Sequence, residues 1–242
     1  MLNGLDLFSG IGGLTLALSP WVRPVAYCEI EPYAQAVLLS RMSEGNLPTA
    51  PIWDDIKTLT ADVLPEAIDI IYGGSPCQDF SESGSGEGLE GERSSLFYEF
   101  IRVVREIKPT FVFWENVRGA QRAIRQVTME FKKLGYAPRG GELSAAHLGR
   151  DHIRKRIWIL AHSHCQQVGG YSMQRSDNPN PKERGQEAGR DTPTSDANWR
   201  ERSNRRFREA YGYAYGVERV ECIGNGVDVV QAREAFKRLM GI

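Results

Sequence analysis

Cysteine is scarce in this chain, with four residues, at positions 28, 77, 165 and 222, among 242. No two of them form a C-x-x-C pair, so neither a disulfide framework nor a structural zinc site is expected, and the thiols are read as reduced. An excess of charge of one sign is also missing: 30 Lys and Arg stand against 31 Asp and Glu, a formal net charge of -1. Binding to a polyanion would therefore have to come from local arginine clusters and not from the net field. No stretch approaches the roughly 18 consecutive apolar residues of a membrane span. The opening "MLNGLDLFSG" has neither the basic start nor the long apolar segment of a secretory leader. A cytoplasmic protein without membrane or metal partners is the expectation. What the chain does have is 41% hydrophobic residues, enough for one sizeable core with an inserted or appended segment.

Up to about residue 160, short apolar runs alternate with segments of helical period. That alternation predicts an α/β fold, a doubly wound and mostly parallel sheet with helices on both faces. The runs "NGLDLFS", "PVAYCEI", "AIDIIYG", "PTFVFWEN" and "RKRIWILAHS" read as strands, rich in β-branched or aromatic residues and bounded by Gly, Pro or charge. Between them, Leu96, Phe97, Phe100, Ile101 and Val104 mark one helix face, and Ala120, Ala123, Ile124, Val127, Phe131 and Leu134 another. From Ser163 to Arg208 Pro, Gly, Asn and charge dominate, and such a stretch cannot build a core of its own. Order is expected to return near residue 216, with Val229, Ala232, Phe236 and Leu239 on one face of a closing helix. The chain thus divides into 1–162, a loop-rich 163–215 and a return at 216–242.

The first strand runs into "DLFSGIGGLTLAL", whose Gly10, Gly12 and Gly13 let the backbone approach a ligand at the strand's carboxyl end. The pattern is not G-x-G-x-x-G, because Thr15 takes the third glycine position. In "CEIEP", Glu29 stands at a strand tip about twenty residues past the turn, where a carboxylate can accept both hydroxyls of a ribose. Asp55 of "WDDI" could accept from an adenine amino group. Taken singly, each acid is also compatible with a solvated loop position.

In "GGSPCQDFS" a cysteine follows a buried strand, and Cys77 reads either as a packed thiol or as a nucleophile. The glycines of "SESGSGEGLEGER" make a lid plausible. The strand "FVFWENVRG" sets Glu115 and Asn116 at an apolar tip, where desolvation by Phe113 and Trp114 would raise a carboxyl pKa and let it donate a proton at neutral pH. Last, "HIRKR" alternates His152, Arg154 and Arg156 along one side of a strand start, a row of donors suited to an anion or a base carbonyl.

These motifs, in this order, resemble those of the DNA cytosine-5 methyltransferases that use S-adenosylmethionine. "DLFSGIGG" is similar to that family's cofactor loop, "CEIEP" and "WDDI" to its adenosine acids, "GGSPCQDFS" to its Pro-Cys motif and "ENV" to its acid motif. "HIRKR" resembles a His-for-Gln version of its Gln-x-Arg-x-Arg motif, and "IGNGV" its closing Gly-Asn motif. The resemblance spans roughly 4–160 and 217–240. It implies a Rossmann-like sheet carrying a small, irregular target-recognition segment and double-stranded DNA as partner; the oligomeric state is left open by the sequence, with a monomer favoured. It further implies Cys77 as the nucleophile toward a flipped-out cytosine and Glu115 as the acid oriented by Asn116, with Arg154 and Arg156 holding the base. The cofactor would rest on Phe8, Gly10, Gly12, Glu29, Ile30, Asp55, Pro76, Leu96, Asn225 and Val227.

Two departures bear on substrate. The interval between the Arg-x-Arg strand and the Gly-Asn motif, where the family reads its target, holds only 53 residues here, 163–215. The lid carries Glu82, Glu87, Glu90 and Glu92, which repel phosphates, while "RERSNRRFR" at 200–208 could neutralise them. A cofactor-binding protein of weak or no activity, or a tRNA cytosine-5 methyltransferase, are the alternative readings.

Overall fold

The computed structural model describes residues 1–76, 95–117, 121–150, 152–163 and 226–242, with backbone alone at 95 and 121–123. Cys77, the lid glycines and glutamates, Asn225 and the arginines of 200–208 lie outside the described residues. All that is described falls in one compact unit, Met1–Val168 with Gly226–Ile242.

The strands are β1 (Leu2–Leu7), β2 (Val22–Cys28), β3 (Ile52–Trp53), β4 (Ile70–Gly73), β5 (Phe111–Val117), β6 (Ala137–Ser144) and β7 (Lys155–His162). The helices are α1 (Gly13–Leu18), α2 (Pro32–Ser43), α3 (Ser95–Ile107), α4 (Gln121–Lys133) and α5 (Val229–Met240). One sheet runs β3-β2-β1-β4-β5-β7-β6. The members from β3 to β5 are parallel, and β7 pairs antiparallel with both β5 and β6.

The central strands are near-continuous apolar runs because helices cover them on both sides. On one face Phe97, Phe100, Ile101 and Val104 of α3, with Val127 and Phe131 of α4, bury against Leu5, Leu7, Ile71, Val112 and Trp114. On the other, Leu14, Ala17 and Leu18 of α1 and Ala232, Ala235, Phe236 and Leu239 of α5 cover Ile70, Tyr72, Phe113 and Trp158. Phe113 stacks on Trp158 at 5.5 Å between ring centroids, and Phe236 meets Phe113 edge-on at 5.2 Å. Burying a ring of this size contributes roughly 2–3 kcal/mol, so Phe236 is a main anchor of α5. That helix starts at Asp228, whose side chain accepts from the Gln231 N–H at 3.0 Å, and stops at Gly241, whose φ of 78° no helix continues.

Two elements differ from the sequence reading. "APRGGELS" has the Pro and Gly content of a loop yet forms β6, because it lies at the sheet border and pairs with β7 from Ala137↔His162 to Ser144↔Lys155. Strand β7 begins at Lys155, so His152 and Arg154 precede it and are not held in strand alternation with Arg156.

Candidate active site

The register brings the chemistry-bearing residues to one edge. Leu7 pairs with both Cys28 and Gly73, Cys28 with Trp53, and Gly73 with Trp114. The residues that follow, Phe8, Glu29, Gly74 and Glu115, therefore stand along the carboxyl ends of the parallel strands, where open α/β sheets bind ligands. Because β7 runs the other way, its start reaches the same edge, with Arg156 opposite Val117.

In the first half of this edge, the chain leaves β1 through Phe8 at φ 54°, Gly10 at φ 54° and Gly12 at φ 82°. The left-handed Phe8 costs about 1–2 kcal/mol, a strain the surroundings must hold in place. They do so through Glu29, 8% exposed, whose Oε2 accepts from the Gly10 N–H at 2.6 Å and whose Oε1 accepts from the Glu31 N–H at 2.9 Å. Arg41 of α2 donates to the Ile11 carbonyl from the other side. A carboxylate offers about four acceptor positions, so Glu29 retains capacity for a pair of hydroxyls. Beside it Ile30 is 62% exposed, and a side chain at Gly10 would meet nothing within 4 Å. Asp55 is half-buried and accepts from the Lys57 N–H at 2.9 Å. Acceptors, an exposed apolar surface and an open glycine turn fit an adenosine. Phe8 and Leu96 pack, partly buried, against the apolar cluster under α3, Val227 against the opposite one, and Pro76 is exposed.

Beneath the turn, Asp6 is fully buried. Its Oδ2 accepts from the Thr15 hydroxyl at 2.7 Å, and Thr15 Oγ1 lies 2.7 Å from the Tyr72 hydroxyl. Thr15 has one proton and gives it to Asp6, so Tyr72 donates to Thr15. Asp6 Oδ1 is buried without a hydrogen-bond partner among the described residues. Burial pushes this carboxyl up to about 8 against the Thr15 hydrogen bond, and the Glu29 charge pushes the same way. Cys28, also behind the edge, is a packed thiol that burial, with the Glu29 charge adding to it, pushes up to about 12.

In the second half, β4 runs into Gly73-Gly74-Ser75-Pro76, the residues that lead to Cys77. Ser75 is buried and tied to β5 twice: its hydroxyl accepts from Trp114 Nε1 at 3.1 Å, and its carbonyl accepts from Asn116 Nδ2 at 3.2 Å. A Cβ at Gly74 would fall 2.8 Å from Glu115 Oε2, so a side chain there would displace the carboxyl. Glu115 Oε1 in turn lies 2.9 Å from Arg156 Nε. Burial raises the Glu115 carboxyl above the ordinary range, and the Arg156 and Arg154 charges only partly offset it. The result is a carboxyl able to hold a proton, aimed at the turn that precedes Cys77.

The three donors expected in one row instead go to three places. Arg156 pairs with Glu115, Arg154 donates to the Gly226 carbonyl, and His152 Nε2 lies 3.1 Å from Asp228 Oδ2. Spacing alone missed Asp6, Tyr72, Ser75 and Arg41, and it did not give Thr15 or Trp114 the hydrogen bonds they make. For Asp6 the unusual Asp inside an apolar strand, in "GLDLFS", was a visible signal.

Among the described residues no three His, Cys, Asp or Glu are grouped to hold a metal ion, and no helix is long and apolar enough to cross a membrane.

A family model described as C-5 cytosine-specific DNA methylase matches residues 2–238. The chain belongs to the C-5 cytosine-specific DNA methylase family. Among its curated relatives, the type II methyltransferase M.HhaI of Haemophilus parahaemolyticus is 36% identical over 165 residues, 66% of this chain and 48% of that protein. M.CviJI of Paramecium bursaria Chlorella virus IL3A is 34% identical over 159 residues, 65% and 42% of the two chains. Of the solved structures, a putative DNA modification methyltransferase encoded within an E. coli prophage aligns with a TM-score of 0.55 and 26% identity. It covers 67% of this chain and 47% of that one. The Dnmt2 methyltransferase of S. pombe aligns at 0.56 and 25%, covering 75% and 57%. This methylase chain spans about half the length of the curated relatives it matches.

Proposed function

We propose that the chain transfers a methyl group from S-adenosylmethionine to carbon 5 of cytosine in DNA, through a covalent adduct between Cys77 and a base turned out of the duplex. The observation that carries this reading is the Glu115 carboxyl, its pKa raised by burial, set against Arg156 and against Gly74, three residues before Cys77. Family membership supports it.

Glu29, Ile30 and Asp55 over the Phe8–Gly12 turn would hold S-adenosylmethionine, which would supply an electrophilic methyl to carbon 5 as its sulfur–methyl bond breaks and S-adenosylhomocysteine is left. The chain's own residues make carbon 5 nucleophilic. The Cys77 thiolate forms a bond to ring carbon 6 while Glu115 gives its proton to ring nitrogen 3, so the charge pushed into the ring is neutralised as it forms. Loss of the carbon 5 proton to a base later re-forms the ring double bond and releases Cys77 as the carbon–sulfur bond breaks. Asn116 and Trp114, through Ser75, fix the turn that carries Cys77, and Arg156 keeps Glu115 oriented. Pro76, Leu96, Asn225 and Val227 complete the cofactor walls, and 163–215 is the segment left to read the target.

The test is transfer of labelled methyl from S-adenosylmethionine to cytosine-containing duplex DNA, with transfer RNA in a parallel arm. Wild type is expected to label DNA, to be trapped on 5-fluorocytosine DNA, and to lose both with Cys77→Ser. Equal labelling by the variant would remove Cys77 as nucleophile. Cofactor binding without trapping would turn the reading to a binding protein, and labelling of transfer RNA alone would change the polymer.

Gly74→Ala offers a check that leaves Cys77 and Glu115 in place. The added methyl meets Glu115 Oε2 at 2.8 Å, so the carboxyl must turn away. A misplacement of about 1 Å at a reacting group costs on the order of 100-fold in rate. Expected is a loss of that order in turnover with unchanged cofactor affinity, read by methyl transfer and calorimetry side by side.

A further inference from the structure

The stretch Gly226-Val227-Asp228 links the site to α5, and it is held from the side of β7. Asp228 accepts twice: Oδ1 from the Gln231 N–H at 3.0 Å, while Oδ2 lies 3.3 Å from Arg150 Nε and 3.1 Å from His152 Nε2. The Asp228 side chain is 6% exposed, whereas Arg150 and His152 are 46% and 43% exposed, so a surface guanidinium and a surface imidazole reach in to a nearly buried carboxylate. That carboxyl sits below its ordinary range because the Gln231 N–H and the Arg150 and His152 charges outweigh the burial that would raise it. Gln231, itself fully buried, closes the same junction by donating to the Leu143 and Arg154 carbonyls, each at 2.8 Å.

On its other side this stretch backs the cofactor turn. A side chain at Gly13 would meet Val227 O at 3.3 Å, Val227 Cβ at 3.4 Å and Val227 N at 3.5 Å. The Val227 backbone thus lies close beside the first residue of α1, next to Gly12, leaving space there for a glycine.

We propose that His152 and Arg150 are positioning residues for the cofactor turn: by anchoring Asp228 they hold Val227 against Gly13, and they set affinity for S-adenosylmethionine without touching it. The proposal rests on the reading that this turn binds S-adenosylmethionine. It gives position 152, where the resembling motif has Gln, a role at the back of the cofactor site and not on the base. Since both side chains are half-exposed, each contact is worth at most about 1 kcal/mol, or about fivefold in affinity.

The experiment measures S-adenosylmethionine affinity by calorimetry, with KM and kcat for methyl transfer, on wild type, His152→Ala, His152→Gln, Asp228→Asn and the Ala–Asn double variant. Asn keeps the helix cap and removes the charge. Expected for His152→Ala is a dissociation constant and cofactor KM raised about three- to fivefold, with kcat at saturating cofactor retained. Gln, which still donates a hydrogen bond, should recover part of the loss, and the double variant should be no weaker than Asp228→Asn alone. Arg150→Ala acts on the same carboxylate and replaces His152→Ala if that variant melts below the assay temperature. Absence of S-adenosylmethionine binding by the unaltered chain overturns the cofactor reading and this proposal with it. Binding that neither His152→Ala nor Arg150→Ala weakens overturns this proposal alone, as does a loss confined to kcat.

Discussion

Glu115→Gln is expected to lower kcat for methyl transfer by about 10²–10⁴-fold, the usual contribution of a positioned general acid. Glutamine keeps the size of the side chain and an oxygen to accept from Arg156 Nε, now 2.9 Å from the carboxylate, but it has no proton to give. The thermal midpoint separates this loss from a folding defect and also reports the charge of the wild-type group. Removing one member of a buried, ionised pair costs about 3–5 kcal/mol. Burial raises the Glu115 pKa and the Arg156 and Arg154 charges offset it in part, so the drop in melting reads the ionisation directly: a loss of that size marks an ionised pair, a small one a protonated carboxyl. The pH profile follows from the same shift: turnover should fall on the alkaline side as Glu115 loses its proton, and this limb should be missing from the residual rate of the Gln variant. A variant as active as wild type, with the same alkaline limb, would assign proton delivery to another group.

The second large effect concerns stability. Asp6 titrates near 3.8 in an unfolded chain and is pushed up to about 8 in the fold. Between those values the folded state binds more protons than the unfolded one. The contribution of Asp6 is thus fully present below about 3.8 and is lost as pH rises through about 8, by up to about 1.4 kcal/mol per pH unit. Asp6→Asn removes this dependence while keeping an acceptor for Thr15. In urea titrations from pH 5 to pH 8 the Asn variant should gain on wild type steadily, and a stability difference independent of pH would show that Asp6 is already ionised. Glu115 contributes a slope of the same sign, which is common to both proteins and cancels in the comparison.

The part of the site that could be read from sequence is the part carried by strand tips. Glu29, the Cys77 turn and Glu115 each end an apolar run, and a parallel sheet must bring such ends to one edge. The side of Asp6 that matters was not readable, because its partner Thr15 sits on α1 and Tyr72, which bonds Thr15, on β4. Thr15, which in sequence looks like a departure from a glycine pattern, is in the fold the hydroxyl that bonds Asp6. Strand β6 was missed for a different reason: Pro138, Gly140 and Gly141 have poor intrinsic preference for a strand, and only the long pairing with β7 overrides it. Likewise, the alternation of His152, Arg154 and Arg156 was visible, but their divergence depends on where β7 begins and on Gly226 and Asp228, far along the chain.

Arg233 of α5 donates to the Leu16 and Ala17 carbonyls, each at 3.1 Å, joining residues 217 and 216 positions apart. The end of α1 is therefore finished by α5. During synthesis Val227 and Phe236 emerge more than 200 residues after "DLFSGIGG", and until then the face of α1 and β4 that they pack against stays open to water. A nascent chain of this kind carries an exposed apolar surface through that interval, in which a chaperone has something to hold.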